Sequence, residues 1–348
     1  MGPAALGAFV AVFALGRIIT DIPAGRLTDS RPSRSMLAVG AGVTAVSSLL
    51  AGFSPTSTIA FVAAFVLGVG SAWTNTTGIA AFALAPRERR GAAMSGFAAA
   101  LLVGQAVGPV FGGAVASVAD WRAAFAAAAV LAAVVAVLLM RAVPGRRSDR
   151  SKRTKEAGTV SIARPVRVAL YLLPAVQFAI GGALLQTLVP IVGDGELGYG
   201  VGAIGLAIGL AGLLRLVGAL VSGRISDAYS RRWGLFPGLS LQLVGLVVFA
   251  VADSAAAWWA AIVLTSLGSS AVNVAATMLA DLSEGGRLGA RLGMFRITGD
   301  VALFVAPLLA GILYQYSGRA LATVPLIIFT ASVTLLAAVA LPDTRAYG

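Results

Sequence analysis

Two pairs of opposite charges stand four residues apart inside stretches that are otherwise apolar: Arg17 with Asp21, and Arg296 with Asp300. On a helix that spacing puts both members of a pair on one face, so each pair can neutralise itself. Ion pairing is the chemistry open to them, and proton exchange at a carboxylate requires that a pair first be broken. A third arginine within an apolar run, Arg215, has no acid at that spacing. Its side chain either snorkels toward the membrane surface or meets an anionic group or backbone carbonyls. Uncharged polar groups are equally sparse in these runs: Trp73, Thr74, Asn75 and Thr76 stand together, Gln177 and Gln186 share another run, and Asn273 lies in a third. Cysteine and histidine are absent, which removes thiol chemistry, disulfides, Cys/His metal sites and imidazole-dependent catalysis. The only lysines, Lys152 and Lys155, lie in a hydrophilic stretch, and no phosphate-cradling P-loop run occurs. The expectation is a protein that is not an enzyme and needs no cofactor or metal.

The elements that position these groups are membrane helices. Of 348 residues 58% are hydrophobic and 11% charged, against about a quarter charged in a soluble globular chain. Apolar runs of about 20 residues, enough to cross the hydrocarbon core, recur along the whole chain. Eleven are expected, at roughly 4–21, 35–53, 57–83, 91–117, 121–141, 166–192, 200–222, 234–252, 256–280, 288–314 and 321–341. The net charge of +12 does not point to nucleic acid, because the basic residues fall in alternate gaps between runs. One side collects 21 of the 26 Lys and Arg, the other only Arg122 and Arg319. The positive-inside rule makes the first side cytoplasmic, which places the amino terminus outside and the carboxyl terminus inside the cell membrane.

The chain falls onto itself when shifted by 198 residues. Arg17 meets Arg215, Gly25 meets Gly223, Asp29 meets Asp227 and Arg34 meets Arg232; Asn75, Phe97, Pro109 and Gly113 meet Asn273, Phe295, Pro307 and Gly311. Parallel repeats of this kind build transporters with the solute site near mid-membrane. The expected organisation is an amino-terminal helical half at 1–141, a basic cytoplasmic linker at 142–165 and a carboxy-terminal half at 166–348. The shift puts the partner of the 166–192 helix before Met1, so five helices face six and the first helix of a twelve-helix plan is expected to be missing. The glycine-rich loop from Gly193 to Gly200 is expected to be a solvated turn.

Gly25-Arg-Leu-Thr-Asp29-Ser-Arg31-Pro-Ser-Arg34 resembles the signature loop of the major facilitator superfamily, G-x-L-x-D-R-x-G-R followed by R or K, departing at Ser30, Pro32 and Ser33. Gly223-Arg-Ile-Ser-Asp227-Ala-Tyr-Ser-Arg231-Arg232 repeats it at the same offset. Gly104-Gln-Ala-Val-Gly108-Pro109-Val-Phe-Gly112-Gly113 resembles the G-x-x-x-G-P-x-x-G-G run of exporters in that superfamily, drug/proton antiporters above all. The arginine such antiporters often carry in their fourth helix is replaced by Ala64.

The resemblance implies an all-α membrane protein of two pseudo-symmetric bundles that alternates access to a central cavity. It implies substrate contact for Trp73, Asn75, Gln177, Gln186 and Asn273, with interhelical hydrogen bonding the alternative for the two asparagines. It implies gating roles for Gly25, Asp29, Arg34, Gly108, Pro109, Gly223, Asp227 and Arg232. Asp29 would then meet the helix opening near 288, beside Arg287 and Arg291, and Asp227 the helix opening near 91, beside Arg87, Arg89 and Arg90. Arg17, Asp21, Arg296 and Asp300 would form a charge network between the halves. The expected partners are a small-molecule substrate, a coupling proton or other ion and the lipid bilayer, with the chain a monomer. Export of a small apolar or drug-like compound leads; uptake of a small organic or anionic solute, or a membrane protein without transport, are the alternatives.

Overall fold

The computed structural model describes residues 2–83, 87–142, 162–269, 271–282 and 288–342. Among these no strand occurs, as expected of a chain whose backbone must satisfy its own hydrogen bonds in lipid. The helices are α1 (Pro3–Ser30), α2 (Ser33–Gly52), α3 (Ser57–Ala83), α4 (Arg87–Val118), α5 (Trp121–Ala142), α6 (Arg164–Gly195), α7 (Val201–Ala228), α8 (Arg231–Val251), α9 (Ala255–Gly268), α10 (Ala271–Asp281) and α11 (Leu288–Ala340). Local chemistry sets several boundaries. The Asp120 carboxylate accepts from the Ala123 amide at 2.7 Å and the Ser254 hydroxyl from Ala257 at 3.3 Å, capping α5 and α9.

Ten segments among the described residues are long and apolar enough to cross a membrane. The last, Arg291–Ala340, runs 50 residues, about 75 Å at the α-helical rise and more than twice a bilayer core. It is broken at Gly318, whose φ of 73° and ψ of −175° are non-helical. That break gives α11 two arms, 288–317 and 319–340, matching the last two expected spans. α9 and α10 together fill the expected span at 256–280.

α6 is irregular in a different way. Its stretch Ile180–Leu188 is π-helical, and the Thr187 hydroxyl donates to the Gly182 carbonyl five residues back at 2.9 Å. Pro190 follows directly and lacks the N–H that would serve the carbonyl four residues earlier. π segments are rare and concentrate at functional sites.

The described residues fall into two compact units, one within Met1–Ala8, Thr154–Tyr199 and Ala207–Gly348, the other within Phe9–Arg153 and Gly200–Leu206. In the first, α6 is the buried centre, with Leu170, Leu173, Val176, Leu184, Leu188 and Val192 shielded from solvent. It packs on α11, and α8 packs on α9 and α11. In the second, α2 packs on α3 and α5. The exposed apolar side chains of α5, such as Val130, Leu131 and Leu138, suit hydrocarbon better than water.

Candidate functional site

In the second unit α1 and α3 meet backbone to backbone. A Cβ on Gly16 or Gly68 would run into the carbonyl of Phe65 or Phe13 respectively, the small-residue packing that lets membrane helices touch. This seam brings the first charged pair onto α3. Arg17, 7% exposed, donates from Nη1 to Ser71 Oγ at 3.1 Å and lies 6.0 Å from the Phe13 ring centroid. Asp21 accepts from Thr76 Oγ1 at 2.9 Å. Asn75 is half-buried on the same helix, and its Oδ1 is shielded without a partner, as is Trp73 Nε1. The Thr74 hydroxyl, packed against Gly40 of α2, is likewise shielded without a hydrogen-bond partner.

In the first unit Arg296 and Asp300 lie one turn apart on the first arm of α11, Asp300 1% exposed. Gln177 was expected to face substrate, but its amide is taken up by a reciprocal pair with Gln242 of α8, two hydrogen bonds of 2.8 Å in a buried setting. A polar residue mid-way along the 234–252 run was the only signal for Gln242. Gln186 and Asn273 are exposed. An apolar cleft of ≈470 Å³ opens between α6 and the two arms of α11, lined by Leu172, Ala175, Val305, Leu309 and Phe329, with Thr298 its polar contribution.

The signature loops differ in detail from the pattern expected. Gly25 and Gly223 lie inside α1 and α7, and a Cβ would find 3.9 Å to Thr76 at the first and open space at the second. Asp227 pairs with Arg231 of its own loop at 2.7 Å. Arg232 donates to the Ala338 carbonyl at 2.7 Å, tying the loop to the end of α11. Arg34 is exposed. The side chains of Asp29, Arg87, Arg89 and Arg90, and the whole of Arg287, lie outside the described residues. The Gly193–Gly200 loop is not a free turn: Glu196 accepts from Tyr314 at 2.7 Å and from Arg319 at 2.8 Å, beside the Gly318 break.

The exporter-like run takes part in a close crossing through Pro109, as expected, and through Gly113, but not through Gly108. A Cβ on Gly205 would stand 2.5 Å from the Pro109 carbonyl oxygen and 3.0 Å from Gly113 Cα; one on Gly113 would stand 3.0 Å from the Val201 carbonyl oxygen. Gly108 has nothing within 4 Å and is exposed. The first unit contains the repeat-equivalent crossing: Gly7 abuts the Pro307 carbonyl, and a Cβ on Gly311 would stand 2.6 Å from the Pro3 carbonyl oxygen. All four residues of one crossing, Pro3, Gly7, Pro307 and Gly311, map onto Val201, Gly205, Pro109 and Gly113 by the 198-residue shift.

The family model for the Major Facilitator Superfamily matches residues 1–214 and again 178–347. The chain belongs to that superfamily. It is 26% identical over 234 residues to multidrug resistance protein 1 of Bacillus subtilis, covering 66% of this chain and 59% of that one. It is 32% identical over 99 residues to the fosmidomycin resistance protein of Escherichia coli, 28% of this chain and 24% of that one. Each match therefore spans less than two thirds of the relative. The fold is that of a bacterial homologue of the human lysosomal transporter Spinster, solved inward-facing and unoccupied, with a TM-score of 0.80 at 14% identity over 97% of this chain and 88% of that one.

Proposed function

We propose that this facilitator-superfamily protein is a secondary active transporter working by alternating access, not an enzyme, and that it exports a small apolar or drug-like compound. The observation that carries the mechanism is the pair of repeat-equivalent glycine crossings. Each lays a segment of one sequence repeat directly on the backbone of the other, Pro3–Gly7 on Pro307–Gly311 and Val201–Gly205 on Pro109–Gly113. Contacts of this kind rest on close packing without a deep side-chain lock, so they can separate and re-form as the repeats, 1–141 and 166–348, rock about a mid-membrane site. The basic segment 142–165 is the linker between them in this reading. The Arg17–Ser71 and Asp21–Thr76 contacts, with Arg296 and Asp300, supply the charged elements that a coupling proton or other ion would act on.

Export of an apolar compound is supported by the names of the two resistance proteins and by the scarcity of polar groups in the spans. Trp73, Asn75, Gln186 and Asn273 are the side chains assigned to substrate, a few orienting groups in a mostly apolar setting. Energised everted vesicles carrying the full chain should accumulate a panel of fluorescent lipophilic dyes above vesicles without it. Dye accumulation equal to the empty control across the panel, with normal protein in the membrane, would overturn the reading.

A further inference from the structure

Arg215 stands at the middle of α7, a helix of 28 residues, and so about 20 Å along the axis from either end. Its guanidinium is turned sideways onto the neighbouring α6 instead of being left free to reach a membrane surface. Its Nε is buried with no hydrogen-bond partner, and no ion pair engages it among the described residues. The guanidinium lies over Gly181, where a Cβ would stand 3.4 Å from Nη2. Gly182 turns the other way, onto Leu303 and Pro307 of α11. The double glycine therefore serves two neighbours, and both glycines belong to the π segment of α6.

The other repeat shows how this fold satisfies an arginine at the same position. Arg17, the equivalent of Arg215, has Ser71 on α3 and Asp21 four residues on. In the second repeat the acid is lost and the serine is turned away. Asp21 becomes Ala219, and Ser269, the equivalent of Ser71, turns its hydroxyl onto its own helix, donating to the Ser266 carbonyl at 2.8 Å. A cation without a counter-charge inside a membrane bundle is costly, and the acid that would offset that cost is present one repeat away and absent here, while the retained serine is engaged on its own helix. What is left is a planar, always-charged donor fork over a glycine, the geometry that takes a carboxylate, phosphonate or sulfonate in a bidentate grip.

We infer that Arg215 over Gly181 is an anion-recognition subsite of the transport pathway, and that the substrate is an organic anion with an apolar body. This deepens the transport reading and rests on it. Benzoate and phenylphosphonate, with uncharged benzamide as control, are suitable probes of the purified full chain in detergent, read as saturable rises in thermal midpoint. Both anions should stabilise the wild type and benzamide should not. Arg215→Gln should weaken the anion response at least tenfold while its midpoint without probe holds or rises, since an unpaired charge has been removed. Arg215→Lys should retain part of the response, and Gly181→Leu, which fills the space over the guanidinium, should lose it. Should Arg215→Gln fail to fold, the Lys and Gly181 variants decide. Equal responses to benzoate and benzamide in the wild type, or anion responses that survive in folded Arg215→Gln or Gly181→Leu, would overturn the subsite. Anion binding that depends on Arg215, in a protein that moves no compound across vesicles, would uphold the subsite and sink the transport reading instead.

Discussion

At the scale of single residues, polar groups in the spans divide into those already satisfied by the fold and those left open. Gln177 and Gln242 satisfy each other through two 2.8 Å hydrogen bonds in the core of the first unit. Gln177→Ala leaves the Gln242 amide buried without its partner, a cost of about 1 to 3 kcal/mol. Replacing both by leucine should recover most of that loss, because no polar atom is then stranded; thermal denaturation of the three variants in detergent checks it. Asn75 behaves differently, since its Oδ1 is shielded and unpartnered, and Asn273 is exposed on the repeat-equivalent helix. Asn75→Ala and Asn273→Ala should change the preference among transported dyes severalfold while leaving the thermal midpoint near that of the parent. A shared drop in folded protein with unaltered preference would assign both asparagines to packing. The sequence shows all four side chains as polar interruptions of apolar runs. It cannot show which find partners, because the pairing of Gln177 with Gln242 joins helices 65 residues apart.

The helices themselves were largely legible, since twenty-residue apolar runs leave little choice of form in lipid. What spacing could not reveal was the close approach of backbones. The run containing Gly108 and Pro109 reads as a small-residue surface, yet it is the Pro109 carbonyl and Gly113 that meet Gly205 of α7, while Gly108 has open space around it. Gly205→Val must push the crossing apart, at about 1 to 3 kcal/mol if the neighbours cannot give. At 1.4 kcal/mol per factor of ten, that shifts the balance of conformers roughly five- to a hundredfold. Gly108→Val, with open space around it, is the matched control and should change nothing. The chain has no cysteine of its own, so a spin-label pair on Ser117 and Gly202, residues that face each other at this crossing, reports the separation directly. Unchanged distances in Gly205→Val would show that the crossing does not govern the conformers. The turn expected between the last two spans is made at Gly318, whose φ of 73° and ψ of −175° suit glycine almost alone. Gly318→Ala should destabilise the protein by about 1 to 3 kcal/mol, read as a lower thermal midpoint. Glu196, anchored to Tyr314 and Arg319 on either side of that turn, should be worth less on its own, because the pair is partly exposed.

For the whole molecule, the distribution of charge predicts which end of each helix faces the cytoplasm. The described loops alternate along the chain, with residues 31–32 and 229–230 on one set of turns and 53–56, 119–120 and 252–254 on the other. The basic residues follow the first set: 21 of 26 Lys and Arg belong to it and two to the second. Moving one elementary charge against a membrane potential costs roughly 2.3 kcal/mol per 100 mV, and short basic loops are what hold orientation during insertion. We therefore expect Asp120 and Asp253 to face the outside and Arg31 and Tyr229 the cytoplasm. Each of the four is exposed, and each can be replaced by a cysteine that is the only one in the chain. In intact cells a membrane-impermeant maleimide should label Asp120→Cys and Asp253→Cys at once, and Arg31→Cys and Tyr229→Cys only after permeabilisation. The same orientation puts Pro3–Gly7 and Val201–Gly205 at the outer ends of α1 and α7, so both glycine crossings would close the outer side while the signature loops lie inside. Labelling in the opposite order would turn that assignment over, making the crossings the cytoplasmic gate, and would also show that the linker at 142–165, the most basic stretch of the chain, had been carried across the membrane against its charge.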